Sequence, residues 1–233
     1  MLTSGLNLMS RPVALVVAAH PDDEVLGCGG TIARLVKSGH EVLIMFLGDG
    51  ESSRGSDSLR DRIVKRSSAA QQAAARLGAR IAFFGDFPDN AMDSVPFLEV
   101  VRSVEAVIQE CTPSLVLTHW CGDLNIDHQI TARAVLTATR PQIMTPVKRL
   151  LAFSIPSSTE WSFSTHSPFV PNTFVVIDDE FEIMSQALAF YSEELRPSPH
   201  PRSIRALEAR ASLLGETVGV KFAEAFIQIR STE

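Results

Sequence analysis

Two segments of the chain concentrate side chains that bind metals and move protons. One is His20-Pro21-Asp22-Asp23-Glu24; the other is His119-Trp120-Cys121-Gly122-Asp123-Leu124-Asn125-Ile126-Asp127-His128. An imidazole and a carboxylate at His-x-x-Asp spacing, joined by an imidazole from the distant segment, supply three N/O ligands. A divalent ion so held keeps one coordination position for water, the arrangement of a catalytic rather than a structural zinc site. Such an ion lowers the pKa of water from about 15.7 to about 7, and a spare carboxylate nearby would serve as general base. The ordinary alternative for Asp22 and Glu24 is a pair of acids at a helix N-terminus, where the dipole favours negative charge. Glu24 reads equally as a brace for a ligand or for the turn. A packed, hydrogen-bonded histidine is as good a reading of His119 as a functional one, and His40 and His166 read as solvated or packed.

The elements that must position these groups follow from hydrophobic patterning. Val13 to Ala19 is a short β-branched run closed by His20-Pro21, and Val25 to Lys37 carries apolar residues at helical spacing up to Ser38-Gly39. The pattern predicts strands at Val42–Leu47, Ile81–Phe84 and Ser114–Thr118, alternating with helices at Leu59–Leu77, Phe97–Glu110 and His128–Thr139. Further strands are expected at Val147–Ser154 and Thr173–Ile177, and helices at Phe181–Leu195 and Ser203–Leu213. The tail KFAEAFIQIR is compatible with helix or strand. Alternation of this kind predicts an α/β fold, a Rossmann-like doubly wound and mostly parallel sheet with helices on both faces. Ligands of such sheets bind beyond the carboxyl ends of the strands, where both ligand-rich segments fall.

Composition bounds the rest. A chain of 233 residues with 45% hydrophobic and 21% charged side chains has the composition of one globular domain spanning residues 1–233, and wholesale disorder is excluded. A net charge of −6 supplies no basic field for a phosphate backbone, so no nucleic-acid partner is expected. Cys28, Cys111 and Cys121 are odd in number and lack a C-x-x-C pair, which fits a reducing compartment better than a disulfide framework. The opening MLTSGLNLMSRP lacks the features of a secretion signal, and no apolar stretch approaches the roughly 18 residues that span a bilayer. A cytoplasmic protein with no membrane span is expected.

The run AAHPDDEVLGCGGTIARL, the segment Asp-x-Asn-x-Asp-His ending at His128 and GVKFAEAF near the end together resemble the LmbE/PIG-L-like zinc-dependent de-N-acetylases. The resemblance covers nearly the whole chain. It implies Zn²⁺ bound by His20, Asp23 and His128, with Asp22 as general base, and an N-acetylated amino sugar or glycoconjugate cleaved to free amine and acetate. It also implies a homo-oligomer. Fe²⁺ and Co²⁺ accept the same ligands. Asp127 keeps the family's acidic position and would orient an imidazole. Arg66 stands where the family often has a substrate-contacting arginine. It is carried over as a substrate contact, and Arg202 is assigned to substrate beside it, against the default of solvated surface residues.

One departure bears on mechanism. Where the family commonly begins its His-x-Asp-His motif with histidine, this chain has Asn125, which can donate a hydrogen bond to an oxyanion but cannot supply a proton. Candidates for the proton donor are Asp22 after it has taken the water's proton, His119, and His200 in the segment PSPHPRS. Asn125 or His119 would stabilise the oxyanion. The same departure motivates a rival reading, a metal-stabilised binding protein with little turnover. An amidase for a non-sugar or thiol-conjugate amide is the rival among enzymes. Gly27, Gly29 and Gly30 invite a dinucleotide reading, but seven residues separate them from the strand, and close packing of the first helix explains them better. Asp49 reads as a turn residue or a ribose contact. The loops Gly48–Ser58 and Pro156–Pro171 are placed to cover the site. Trp161, Phe163 and Phe169 in the second would pack on the domain, stack on a sugar ring or close an interface.

Overall fold

The computed structural model describes residues 11–142, 145–163 and 168–232; the N-terminal segment 1–10 and His166 lie outside them. β-branched and apolar runs form β1 (Val13–Ala18), β2 (Glu41–Gly48), β3 (Arg80–Phe87), β4 (Leu115–His119), β5 (Arg149–Phe153), β6 (Thr173–Val176) and β7 (Ala223–Ser231). Between them lie α1 (Asp23–Lys37), α2 (Leu59–Leu77), α3 (Phe97–Cys111), α4 (Ile126–Ala138), α5 (Phe181–Leu188) and α6 (Ile204–Thr217). The sheet order is β3-β2-β1-β4-β5-β7-β6. β1 to β5 run parallel, and β7 is antiparallel to both β5 and β6. The fold is thus the expected α/β class, and strand order reverses between β1 and β4.

Alternation along β1 divides two cores. Ala14, Val16 and Ala18 join one cluster with side chains of α1, α2, α5 and α6, while Leu15 and Val17 face another built with α3 and α4. Both faces are covered, which is why the central strands read as continuous apolar runs rather than alternating ones. No helix among the described residues is long and apolar enough to cross a membrane.

One open alternative and two departures from the patterning have physical causes. The tail is strand β7, because it fills the slot between β5 and β6 and buries Ala223, Ala225 and Phe226. α5 ends at Leu188 and tightens into a 3₁₀ turn over Ala189–Tyr191. α4 starts at Ile126 because Asn125 caps it.

Helix α1 is interrupted at Cys28, whose φ of −157° and ψ of 26° leave the helical region. The Gly30 and Thr31 amides both donate to the Glu224 carboxylate of β7, at 2.8 and 2.7 Å. Glycine is required here by close approach: a Cβ at Gly30 would meet Ile177 at 2.8 Å, and one at Gly27 would collide with the Phe153 ring. Packing of α1, rather than phosphate binding, accounts for the glycines.

Candidate metal centre

Because β1 and β4 are parallel neighbours at the reversal of strand order, the turns that follow them meet above the sheet. His119 is the last residue of β4, and its Nε2 accepts the Ala19 amide at 2.9 Å, tying the two strand ends together. Asn125 Oδ1 accepts the amides of Asp127 at 2.8 Å and His128 at 3.4 Å, an N-cap that sets both side chains in the first turn of α4.

Three imidazoles then surround one carboxylate oxygen. Asp23 Oδ2 lies 3.5 Å from His20 Nδ1, 3.3 Å from His128 Nε2 and 3.5 Å from His119 Nε2. The second nitrogen of each ring separates their roles. His20 Nε2 faces Asp127 at 2.9 Å and Asp89 at 3.3 Å, and His128 Nδ1 faces Asp123 at 3.1 Å. Backed by carboxylates, these rings keep His20 Nδ1 and His128 Nε2 for a ligand on the Asp23 side. His119 differs, since Nε2 is taken by Ala19 and Nδ1 is buried without a hydrogen-bond partner among the described residues. It packs flat on His128, ring centroids 4.0 Å apart, with Phe153 at its edge.

The backing carboxylates are themselves held. Asp127 accepts the amides of Asn90 at 2.6 Å and Met92 at 2.9 Å, and Asp123 accepts the hydroxyls of Ser158 and Thr159 and the Asn125 amide. Asp89 accepts the Ser53 hydroxyl, and its own amide donates to Ser52 Oγ at 2.8 Å. The loop after β2 therefore reaches the site, with Asp49 Oδ1 accepting the Glu51 and Ser52 amides as a turn residue does.

The carboxylates here favour positive charge on two of the three rings, while burial and the neighbouring His128 push His119 down to about 3. Burial alone would drive His20 and His128 to the neutral form. Asp127 and Asp23 instead push His20 up to about 9, and Asp23 and Asp123 push His128 up to about 10. Burial works the other way on Asp23, yet His128 and His119 hold it well below the usual carboxylate range. His20, Asp23 and His128 each offer a ligand atom, all within 4.8 Å of one another. Two nitrogens and an oxygen suit Zn²⁺, Fe²⁺ or Co²⁺, so the residues present fit such an ion.

Asp22 stands beside this cluster in a strained conformation, φ 117° and ψ −29°, and is 1% exposed. Its amide donates to Glu24 Oε2 at 3.0 Å, and Glu24 Oε1 accepts the Tyr191 hydroxyl at 2.7 Å, so Glu24 braces the turn. Burial, countered by Arg66 and Arg202 and reinforced by Asp23 and Glu194, raises the Asp22 carboxyl to about 6. Asp22 Oδ2 lies 3.3 Å from Arg66 Nη2 and 3.1 Å from Arg202 Nη1. Arg66 is buried and saturated: it donates to the carbonyls of Pro21 and Gly50 and pairs with Glu51 and Glu194. Arg202 is more open, with Nε on Ser157 Oγ at 2.8 Å. His200 lies on the flank, its Nδ1 accepting the Arg202 amide at 3.0 Å. Asn125 Nδ2 is spent on Asn90 Oδ1 at 3.1 Å.

The structure therefore brings His20, Asp22, Asp23, His119, Asp127 and His128 into one cluster, with Arg66 and Arg202 against Asp22. Sequence reasoning missed Asp123, Asp89 and Glu194. Asp123 begins the Asp-x-Asn-x-Asp-His segment and had a visible signal. Asp89 sits just past β3 at the same carboxyl edge, whereas nothing local marks Glu194.

Residues 15–139 match the family described as PIG-L: GlcNAc-PI de-N-acetylase. The chain belongs to this de-N-acetylase family. Among relatives of the PIG-L family, the diacetylchitobiose deacetylase of Thermococcus kodakarensis is 28% identical over 222 residues, covering 90% of this chain and 80% of that protein. The conserved protein TT1542 of Thermus thermophilus is 27% identical, with a TM-score of 0.74 over 94% of this chain and 96% of that one. A 4-carboxy-2-hydroxymuconate hydratase, GalB of Pseudomonas putida KT2440, shares the fold at 24% identity and a TM-score of 0.77, covering 96% of this chain and 99% of that one. The PIG-L fold thus supports more than one chemistry, and activity has to be argued from the site.

Proposed function

We propose that this protein is a zinc-dependent hydrolase that removes the N-acetyl group from an N-acetylated amino sugar or glycoconjugate. The observation that carries the reading is the convergence of His20 Nδ1, Asp23 Oδ2 and His128 Nε2, the two imidazoles each backed by a carboxylate, beside a buried carboxylate at Asp22. Family membership and the deacetylase named among the relatives support the acetamide substrate. A divalent cation at His20, Asp23 and His128 supplies Lewis acidity and a more acidic water.

The chain's own groups do the rest. Asp22, raised to about 6, is matched to accept a proton from water at neutral pH. The water oxygen bonds to the acetamide carbonyl carbon, and the C–N bond breaks as Asp22 passes that proton to the amine nitrogen, leaving acetate and free amine. Asp22 is the proton carrier in this scheme because Asn125 has no acidic proton to give, burial and the neighbouring His128 push His119 down to about 3 so that it stays neutral, and His200 stands on the flank against Arg202 and Trp161. Arg66 is assigned to holding Asp22 in place, and the more open Arg202 to the substrate side.

The test measures acetate release from N-acetylglucosamine and its glycosides alongside metal content. Asp22→Asn is expected to keep the metal and lose about a hundredfold or more in kcat. A metal-free purified protein, or equal rates for the variant, would sink the proposal.

A further inference from the structure

Tyr191 and Glu194 lie on the turn that follows α5, where the Glu194 amide donates to the Tyr191 carbonyl at 2.9 Å. Both side chains are buried, at 3% and 6% exposure. A hydroxyl and a carboxylate are costly to bury unless they are paired. Here the pairings of both lead to the same residue, Asp22.

Tyr191 reaches the backbone of Asp22. Its hydroxyl donates to Glu24 Oε1 at 2.7 Å, and Glu24 Oε2 accepts the Asp22 amide at 3.0 Å. That amide belongs to a residue at φ 117°, a conformation that residues other than glycine rarely keep unless their surroundings impose it. Glu194 reaches the side chain. Its Oε1 accepts Arg66 Nη1 at 2.8 Å, while Arg66 Nη2 faces Asp22 Oδ2 at 3.3 Å. Arg54 fixes the same carboxylate from the loop after β2, with Nη1 2.8 Å from Oε1 and Nη2 3.0 Å from Oε2, and Arg202 Nη1 lies 3.5 Å from Oε2. One turn thus holds Asp22 twice, through its amide and through its carboxylate, and each link passes through a single intermediary.

We infer that Tyr191 and Glu194 are positioning residues for Asp22: the hydroxyl of one holds the turn that carries Asp22, and the carboxylate of the other holds the Arg66 guanidinium against it. The inference rests on Asp22 being the proton carrier and goes beyond that reading by naming the groups that aim it. The purely structural alternative is that Tyr191 only packs the end of α5 on the core and that Glu194 only neutralises buried arginines. Convergence favours positioning, since Glu24 and Arg66 are separate intermediaries on separate helices and both end at Asp22. A misplacement of about 1 Å in a reacting group can cost about a hundredfold in rate, so small changes at this turn would reach the chemistry.

The test is a double-mutant cycle with Asp22→Asn on the metal-loaded protein, reading acetate release from N-acetylglucosamine and its glycosides. Tyr191→Phe keeps the ring and removes only the hydroxyl. In the wild-type background it is expected to lower kcat about tenfold or more, with KM within about twofold and metal affinity by chelator competition unchanged. Glu194→Gln should lower kcat on the same scale. In the Asp22→Asn background each change should cost less than about twofold, because the step they support has already been lost. A loss by the same factor in both backgrounds makes the turn structural and overturns the inference. So does an undiminished kcat, or a loss of metal or of fold on Tyr191→Phe. An Asp22→Asn variant as active as wild type overturns instead the assignment of Asp22 on which the inference stands.

Discussion

A buried and a half-buried carboxylate meet helix α1, and their fates diverge. Asp23 opens the helix among three imidazoles and is held well below the usual carboxylate range. Glu224 plugs the interruption at Cys28, where its partners are the Gly30 and Thr31 amides, and burial raises it to about 7. Desolvation disfavours charge at both. Two of the rings around Asp23, His20 and His128, are each backed by another acid and take up a positive charge, whereas the hydrogen-bond partners of Glu224 among the described residues are neutral dipoles. A carboxylate set against dipoles is a structural plug; one set among backed imidazoles is a candidate cation site.

Changes at the two acids should separate along that line. Asp23→Asn removes a ligand atom, and metal affinity measured by competition with a chelator is expected to fall by more than about a hundredfold, beyond the loss from a backing group. Unchanged affinity would mean that the ion sits elsewhere. Asp123→Asn keeps all three ligands but loosens His128, so affinity should drop by about 10- to 100-fold with the fold intact. If it does not, the Nδ1 contact is incidental.

Glu224→Gln addresses stability rather than metal. With the folded carboxyl near 7 and the unfolded one near 4.5, the penalty is absent below about 4.5, grows as the unfolded chain ionises first, and is complete above about 7. Wild-type stability relative to Glu224→Gln should therefore decline between about pH 4.5 and 7, on the order of 1–3 kcal/mol in all. Denaturant titrations at several pH values check this, and a pH-independent difference would contradict it. The smallest effect is expected at Asn125→Ala, about 1 kcal/mol from loss of the α4 cap. A fall of a few degrees in Tm is expected, and no fall would show the cap to be dispensable.

Local patterning carried much of this architecture. The runs at Val13 and Val42 are apolar on both faces because each strand is covered twice, and a chain that alternates such runs with helices has few ways to pack other than a parallel sheet. That in turn put His20, Asp23 and the second histidine segment at the carboxyl edge. The tail was not decidable locally, since KFAEAFIQIR becomes β7 only because β5 and β6 leave a gap for it.

The sequence by itself determined which side chains were available and that they follow strands. It did not determine which imidazoles face a ligand. His119 and His128 lie in one segment with equal chemistry, and only the register of β4 against β1 gives His119 Nε2 to the Ala19 amide while leaving His128 Nε2 toward Asp23. Arg66 is a similar case. On a helix pattern it reads as a solvated arginine, and it is buried because Glu194, from beyond α5, arrives to pair with it. Hydrogen bonds and ion pairs act over about 3 Å, so a partner remote in the chain stays invisible until folding brings it near.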